Sequence, residues 1–535
     1  MKKSILWMQA AILTCGLMLT ACSGNIDNSS DRPVGDDDYT IVVGEGMTMP
    51  ENMFLTQVPA VEGDPAIVSA LKAIDGVTDV KPYELNVHYT YNQKDIIKTA
   101  YYFNFKQLID HSNPSKGWFK QQCVLTLAGT VDNSRPTVLH TEGYALEDEN
   151  NRLDNIREPM LVSVLDANCL QVEYRYHGWS LPEGWTNNFH YLTSKQHSDD
   201  LHAIVTAIKR SGLVATGSKW VSTGVSKNGM TTAHYAYYYP NEMDAYVPFC
   251  APFLPSLSEK GPSSYCQSEQ AFGDHVEGLA RVKAAFRAFA SDKTLQAECV
   301  QMLKKDHKDY AAMSDEAVLP ELWLILYENY FGKLSYVEYA KWEPLIPQAG
   351  DPADKFYAFI MADEKTRYAT DKQNEYARRL ETVGDLEPAD VYPLATWTLR
   401  RTAAVKRYDA YYVQTCIDLG NYVHDVSWVD DLLTEAVKAK LTTPYYMPSD
   451  VDVSYDGGQF VRDFFEGMKQ SSCPIMFVYG LQDPWTGGQI PDDKLGPNSQ
   501  KLFIPDGMHN DYIDRWNDAE RNQLFHWLKE LGFDL

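Results

Sequence analysis

The stretch Lys219-Trp220-Val221-Ser222-Thr223-Gly224-Val225-Ser226-Lys227-Asn228-Gly229 decides how the rest of the chain is read. Lys219 to Thr223 has the aromatic and β-branched content of a buried strand. It breaks at Gly-x-Ser, and a helix follows that Pro240 stops. A strand that re-enters as a helix within so few residues must turn sharply at the serine. Such a turn lifts the hydroxyl clear of the strand end, and the helix N-terminus beneath it favours developing negative charge. The pattern points to a serine nucleophile. Gly-x-Ser alone is common, so the assignment depends on partners elsewhere.

A serine hydroxyl is a weak nucleophile near neutral pH, so it needs a base, and the base needs an acid to hold its tautomer. In the α/β-hydrolase fold the three follow in the order Ser, Asp or Glu, His, with the acid just past a late strand. Pro474 to Tyr479 reads as such a strand, and Asp483 follows it in Gly480-Leu481-Gln482-Asp483-Pro484-Trp485. Of 13 histidines only His509 and His526 come later. His526 falls in the amphipathic terminal helix Asp518 to Leu531, beside Phe525 and Trp527. His509 lies on the loop Pro505-Asp506-Gly507-Met508-His509-Asn510, behind the strand Lys501 to Ile504. Ser226, Asp483 and His509 are therefore the expected nucleophile, orienting acid and general base. The oxyanion needs about two N–H donors. The backbone of Lys227 is one; Gly178 or Trp179, in Tyr176-His177-Gly178-Trp179, is expected to supply the other. The Lys227 side chain is expected in solvent. Trp485, Trp179 and Tyr174 flank these loops as candidate walls of a substrate pocket.

Apolar runs and turn clusters organise the chain around this site. Thr99 to Phe105, Phe119 to Leu127 and Thr137 to Thr141 read as strands, Ser198 to Lys209 as a helix and Ala245 to Phe249 as a strand. From Pro252 to Pro444 the segments Val276 to Ala290, Ala317 to Tyr330 and Glu375 to Thr382 read as helices. The stretch between Ser226 and Asp483 far exceeds the need of two or three βα units at about 30 residues each. The expected architecture is an α/β-hydrolase core, a mostly parallel sheet flanked by helices, with a large inserted helical cap. Its divisions are core over 46–251 and 446–535 and cap over 252–445.

The 535 residues carry 48 basic and 73 acidic side chains, a net charge of −25. That balance argues against nucleic-acid binding. The N-terminus reads as a targeting segment: Lys2-Lys3, the apolar run Ile5 to Leu19, then Leu19-Thr20-Ala21-Cys22, which looks like a bacterial lipobox. Residues 1–21 are read as signal peptide, Cys22 as the lipidation site, and 22–45 as a polar tether. The expected location is the cell envelope, anchored by acyl chains in the outer membrane. Seven of the nine cysteines lie beyond this segment, an odd number, and Cys266 with Cys299 is a candidate disulfide. Neither Cys-x-x-Cys nor His-Glu-x-x-His spacing occurs, so no structural zinc, metallopeptidase site or cofactor is expected.

The stretches Val172-Glu173-Tyr174-Arg175-Tyr176-His177-Gly178-Trp179-Ser180, Tyr191-Leu192-Thr193-Ser194, Gly224 to Thr231, Tyr479 to Gly487 and Gly507-Met508-His509 carry a resemblance. The chain resembles the S37 family of serine peptidases, the secreted prolyl tri/tetrapeptidyl aminopeptidases of bacteria. More distantly it is similar to the S28 prolyl carboxypeptidases and dipeptidyl peptidases. The resemblance implies an exopeptidase releasing short peptides from free N-termini, with cleavage preferred after proline. By motif position it implies the same three residues as its triad. Val225 and Asn228 stand where the family pattern has glycine, and a slightly displaced elbow is expected. The free ammonium of such a substrate needs a carboxylate; Glu321 and Glu328 are among the cap's acids, with no role assigned. Two other functions fit the same residues: an esterase or lipase on this scaffold, and a surface lipoprotein that binds peptides in a decayed cleft.

Overall fold

The computed structural model describes residues 60–89, 94–144, 146, 161–178, 180–182, 189–362, 406–444, 453–509, 511 and 513–535. The targeting segment, Cys22, the tether and the expected helix at 375–382 lie outside the described residues.

Nine strands form one sheet in the order β1-β2-β3-β5-β4-β6-β7-β8-β9. They are β1 (Val77–Tyr89), β2 (Lys94–Leu108), β3 (Trp118–Thr126), β4 (Thr137–Thr141), β5 (Asn168–Val172), β6 (Trp220–Val225), β7 (Ala245–Phe249), β8 (Ile475–Gly480) and β9 (Ser499–Ile504). β1, β2, β3 and β5 pair antiparallel, and from β5 onward every pairing is parallel. This is the α/β-hydrolase arrangement. Every residue of β7 and of β8 is buried, which a strand covered on both faces requires. The two-residue period of the strand sorts β8 accordingly. Ile475, Phe477 and Tyr479 belong to the core cluster of one face, which also takes in Leu201, Ile204 and Ile208 of the helix Ser194–Arg210 and Phe464 and Met468 of the helix Gln459–Gln470. Met476 and Val478 pack with Leu524, Trp527 and Leu528 of the terminal helix Asp518–Glu530 on the other.

Between β7 and β8 the described residues form helices, turns and one isolated bridge, with a core of their own. That core gathers Phe286 and Phe289 of the helix Val276–Ser291 and Trp323, Tyr327 and Tyr330 of the helix Asp315–Tyr336. The 315–336 helix is buried around most of its circumference, as a central helix of a bundle must be.

One expectation fails, and one strand was not foreseen. All seven described cysteines are free thiols. Cys266 Sγ donates to its own helix at Pro262 O (3.5 Å) and Cys299 Sγ to Ala353 O (3.5 Å), so the two face different elements and form no disulfide. β1 was absent from the sequence reading, because Pro82 and its interspersed charges hide the strand pattern.

One buried ion pair ties the loop after β5 to the sheet's helical layer. Arg175 Nη2 and Nε donate to Asp200 of the 194–210 helix at 2.7 and 2.8 Å. Its other N–H groups reach the carbonyls of Leu108, Ile109 and Tyr191 at 3.1, 3.0 and 2.9 Å. Burial would raise the Asp200 pKa, but the charge and hydrogen bonds of Arg175 outweigh it and hold the carboxyl well below the usual range. Arg175→Met removes the guanidinium from that buried carboxylate and leaves it His111 Nε2 at 2.8 Å as its nearest remaining partner. The expected loss is about 3–5 kcal/mol in urea unfolding, and a loss under about 1 kcal/mol would show that the pair does not staple the loop.

Candidate active site

β6 ends at Val225, and Ser226 adopts φ 61°, ψ −123° before the helix Lys227–Tyr238 begins. A non-glycine residue there is strained, which is the cost of presenting a side chain at the apex of a tight turn. The turn is held from both sides: Ser226 N–H donates to Phe249 O at the end of β7 (2.9 Å), and Met230 N–H donates to Ser226 O (2.9 Å). A Cβ on Gly224 would lie 2.6 Å from the Asn228 carbonyl, so the crossing of strand and helix tolerates no side chain there. Asn228 takes up the bulk that the family pattern lacks. Its Nδ2 donates to Glu142 Oε2 (2.9 Å), and its Oδ1 lies 2.9 Å from where a Cβ on Gly143 would stand. Gly143 leaves the room that Asn228 fills.

Asp483 and His509 are delivered by two laced loops. Leu481 N–H donates to Ile504 O and Gln482 N–H to Gly507 O, each at 2.9 Å. A Cβ on Gly480 would lie 2.3 Å from Gly507 O, so the backbones after β8 and β9 touch. That contact brings His509 Nδ1 to 2.8 Å from Asp483 Oδ2, both residues buried. Asp483 Oδ1 accepts Trp485 N–H at 3.0 Å, so the carboxylate cannot swing away. With Nδ1–H donated to the carboxylate, Nε2 is left as the proton acceptor. From the other side His509 N–H donates to Ser335 O of the 315–336 helix (3.0 Å), and the Tyr336 ring stands edge-on at 5.4 Å. Val225 and His509 line one small cavity. Among the described residues no hydrogen bond joins the Ser226 hydroxyl to His509; in substrate-free sites that bond is often loose and closes on binding.

The segment beside the elbow is Glu142-Gly143-Tyr144, at the end of β4, the strand that pairs with β6. Gly178 follows β5, one strand farther out. The site of a Cβ on it is filled by the Glu173 carboxylate at 1.9 Å, not by the elbow. Trp179 lies outside the described residues. The Lys227 side chain is buried, contrary to the expectation of solvent. Its ammonium sits 3.7 Å from the Tyr174 ring centroid, 5.2 Å from Tyr144 and 5.6 Å from Tyr411, and Nζ donates to Gly143 O. Burial pushes the Lys227 pKa well down, with Asp418 partly opposing. Tyr174 is thus a floor under Lys227, stacked on His197 at 3.7 Å, and not a wall facing substrate. Gly143 was missed because the pairing of β4 between β5 and β6 is a crossover that spacing does not reveal.

Trp485 stands between the two units, 6.2 Å from the His509 ring and 5.0 and 5.2 Å from Phe331 and Tyr422. Glu321 pairs with Lys440 (2.7 Å). Glu328 accepts Tyr422 OH (3.0 Å) and pairs with His424 (2.8 Å). His526 is exposed on the terminal helix and pairs with Glu530, away from this cluster.

Residues 79–283 match the family model of the PS-10 peptidase S37. The chain is similar to the prolyl tri/tetrapeptidyl aminopeptidase of Streptomyces mobaraensis, 24% identical over 433 residues, 78% of this chain and 76% of that protein. Among solved structures it is similar to proline iminopeptidase of Mycobacterium smegmatis (11% identity, 80% of this chain and 98% of that one, TM-score 0.35). It is also similar to an alpha/beta fold family hydrolase of Bacillus anthracis str. Sterne (13% identity, 77% and 95%, TM-score 0.31).

Gly480→Ala is expected to part the two loops and lower kcat by about 100-fold. The accompanying destabilisation should stay within about 3 kcal/mol; wild-type kcat in this variant would show that the contact does not set the Asp483–His509 geometry. Asp418, which accepts Ser194 N–H (2.6 Å) and Gln414 Nε2 (3.3 Å), has its pKa raised by burial from 3.8 to about 7. Between those values the folded protein binds the extra proton, so this group's contribution is fully present below 3.8 and lost as pH rises through about 7. The melting temperature of Asp418→Asn minus that of the wild type should therefore climb from pH 5 to pH 8. A difference that stays flat with pH would remove Asp418 from this account.

Proposed function

We propose that this chain, a member of the S37 serine peptidases, is an exopeptidase that releases short peptides of three or four residues from free N-termini, preferring cleavage after proline. The observation that carries the reading is the Asp483–His509 hydrogen bond of 2.8 Å at the sheet edge that also bears the strained Ser226. The name of the Streptomyces relative, a prolyl tri/tetrapeptidyl aminopeptidase, supports the peptide length and the proline preference.

In this reading Ser226 Oγ attacks the scissile carbonyl as His509 Nε2 takes its proton. The same nitrogen returns the proton to the leaving amine, and water repeats the sequence on the acyl-enzyme. Asp483 holds Nδ1–H and stabilises the imidazolium without taking the proton. The backbone N–H of Lys227 and one from Gly143-Tyr144 cradle the oxyanion, each worth on the order of 3 kcal/mol. The support for the second donor is the contact between Gly143 and the elbow. The Lys227 ammonium, bound to Gly143 O, is a positioning group for that segment. Trp485, on the loop that carries the acid, is the aromatic wall best placed to meet a proline ring, which offers no N–H and must be recognised by shape. Anchoring through a lipidated Cys22 in the outer membrane is part of the proposal, supported by Leu19-Thr20-Ala21-Cys22.

A fluorophosphonate probe should label the wild type and leave Ser226→Ala unlabelled. His509→Ala and Asp483→Asn should each lower kcat on Ala-Ala-Pro aryl amides by about 10⁴-fold while remaining folded. Mass spectrometry of a digested peptide library should find tripeptides or tetrapeptides ending in proline. Rapid turnover of short acyl esters with no amide cleavage would overturn the peptidase reading.

A further inference from the structure

Cys250 is the first residue past β7, and it adopts φ 49°, a left-handed conformation unusual for a residue with a side chain. Its N–H is fixed on Val478 O at 2.8 Å. Its thiol does not pack as a plain core group. Cys250 Sγ, an Asp483 carboxylate oxygen and a His509 ring nitrogen all lie within 4.8 Å of one another. The three residues are 6%, 0% and 3% exposed. Within this group His509 Nδ1 lies 2.8 Å from Asp483 Oδ2. A cavity of about 10 Å³, lined by Val225, Cys250, Gly507, His509 and Trp516 among others, adjoins the cluster and offers room for a water-sized occupant. Asp511 also lines that cavity, with its carboxylate engaged by Met508 N–H and Arg515, and adds negative charge there.

We propose that Cys250, Asp483 and His509 form a regulatory site for a zinc-type divalent cation, occupied at the expense of catalysis. It rests on the reading of Asp483 and His509 as acid and base. Thiolate, imidazole and carboxylate are the three side-chain donors zinc takes, and its bonds of about 2.0–2.3 Å set tetrahedral ligand separations near 3.5 Å. The observed spacings bracket that value, with the imidazole and carboxylate closer and the thiol no more than 4.8 Å away, so small side-chain shifts suffice. Three protein ligands leave the fourth position to a water in the adjoining cavity.

The inhibition follows from proton bookkeeping. On binding, Zn–S, Zn–O and Zn–N bonds form, and the Nδ1–H···O hydrogen bond breaks. The thiol proton leaves to solvent, and the Nδ1 proton is exchanged through solvent onto Nε2. A metallated imidazole with Nε2–H cannot accept the Ser226 proton, so the nucleophile loses its base. Nothing is oxidised, and a chelator reverses every step. The free enzyme is the active form.

The test uses the full-length protein, zinc in a metal-buffered series, and cobalt(II) as a spectroscopic stand-in. In the wild type, rising free zinc should slow both fluorophosphonate labelling of Ser226 and amide turnover, and chelation should restore both. Cys250→Ser, compared with its own zinc-free rate, should need at least about tenfold more zinc for the same fractional loss. Cobalt should give the wild type a thiolate-to-metal charge-transfer band that Cys250→Ser lacks. A wild type with no such band, or a Cys250→Ser variant as zinc-sensitive as the wild type, overturns the site. If Cys250→Ser does not fold, the wild-type cobalt band decides alone. A metal-free wild type that fails to label counts against the peptidase reading instead, and the cobalt band then upholds or overturns the metal site by itself.

Discussion

The backbone contact between Gly480 and Gly507 is the constraint on which the site depends. Two parallel strands lie about 4.8 Å apart, but the loops that follow them can diverge, so a fixed hydrogen bond between their side chains needs the loops held together. Here they converge because neither residue carries a Cβ and because the Leu481 and Gln482 N–H groups are both spent on the partner loop. The carboxylate and the imidazole then face each other at 2.8 Å in a buried setting, where a charge-assisted hydrogen bond is strongest. The same convergence places the Cys250 thiol, from the next strand in the sheet, beside the carboxylate. A site built this tightly has few degrees of freedom left for error.

The nucleophile's side is held by different physics. Lys227 is buried with aromatic faces and a carbonyl around its ammonium, and Asp418 is the carboxylate whose charge it feels most. An ammonium taken out of water without close pairing is costly, and cation–π contact recovers only about 2 kcal/mol. The fold tolerates it because the stem must lie against Gly143 for the 142–144 segment to meet the elbow. Burial raises the Asp418 pKa to about 7, so this carboxylate carries its charge beside Lys227 only above that pH. The Arg175–Asp200 pair anchors the loop after β5 that supplies Tyr174 as the floor of this cage. One side of the site is therefore organised by backbone contact and the other by buried charge.

What could be read from the sequence follows the difference between chain order and chain pairing. Serine, aspartate and histidine each follow a strand in the order the fold imposes, so a short list of histidines past Asp483 singled out His509, which the structure brings to 2.8 Å from Asp483. The helix over 194–210 and strands β7 and β8 were legible from periodicity and continuous apolar runs. Gly143 was not, since its importance comes from β4 lying between β5 and β6, a crossover that leaves no local trace. Lys227 was misjudged because a lysine is almost never fully buried, and only the three tyrosines converging from positions 144, 174 and 411 reverse that expectation. The Cys266–Cys299 pairing failed for a related reason. Cysteine is among the most buried residues on packing grounds alone, so a pair of cysteines in one helical region does not imply a bond.

The helical insert takes part in the site without supplying Ser226, Asp483 or His509. The carbonyl of Ser335 and the ring of Tyr336 fix His509 from above, while Gly507 and Asp483 fix it from below. A histidine so held can rotate little, so the direction of its Nε2 is fixed. The core loop answers in kind, because Trp485 leaves the turn capped by Asp483 and packs on Phe331 and Tyr422 of the insert. Core and insert thus share the residues that orient His509. Any rearrangement of the 315–336 helix would shift the imidazole along with the aromatic wall beside it, which makes access to the site and competence of the base a single coupled property.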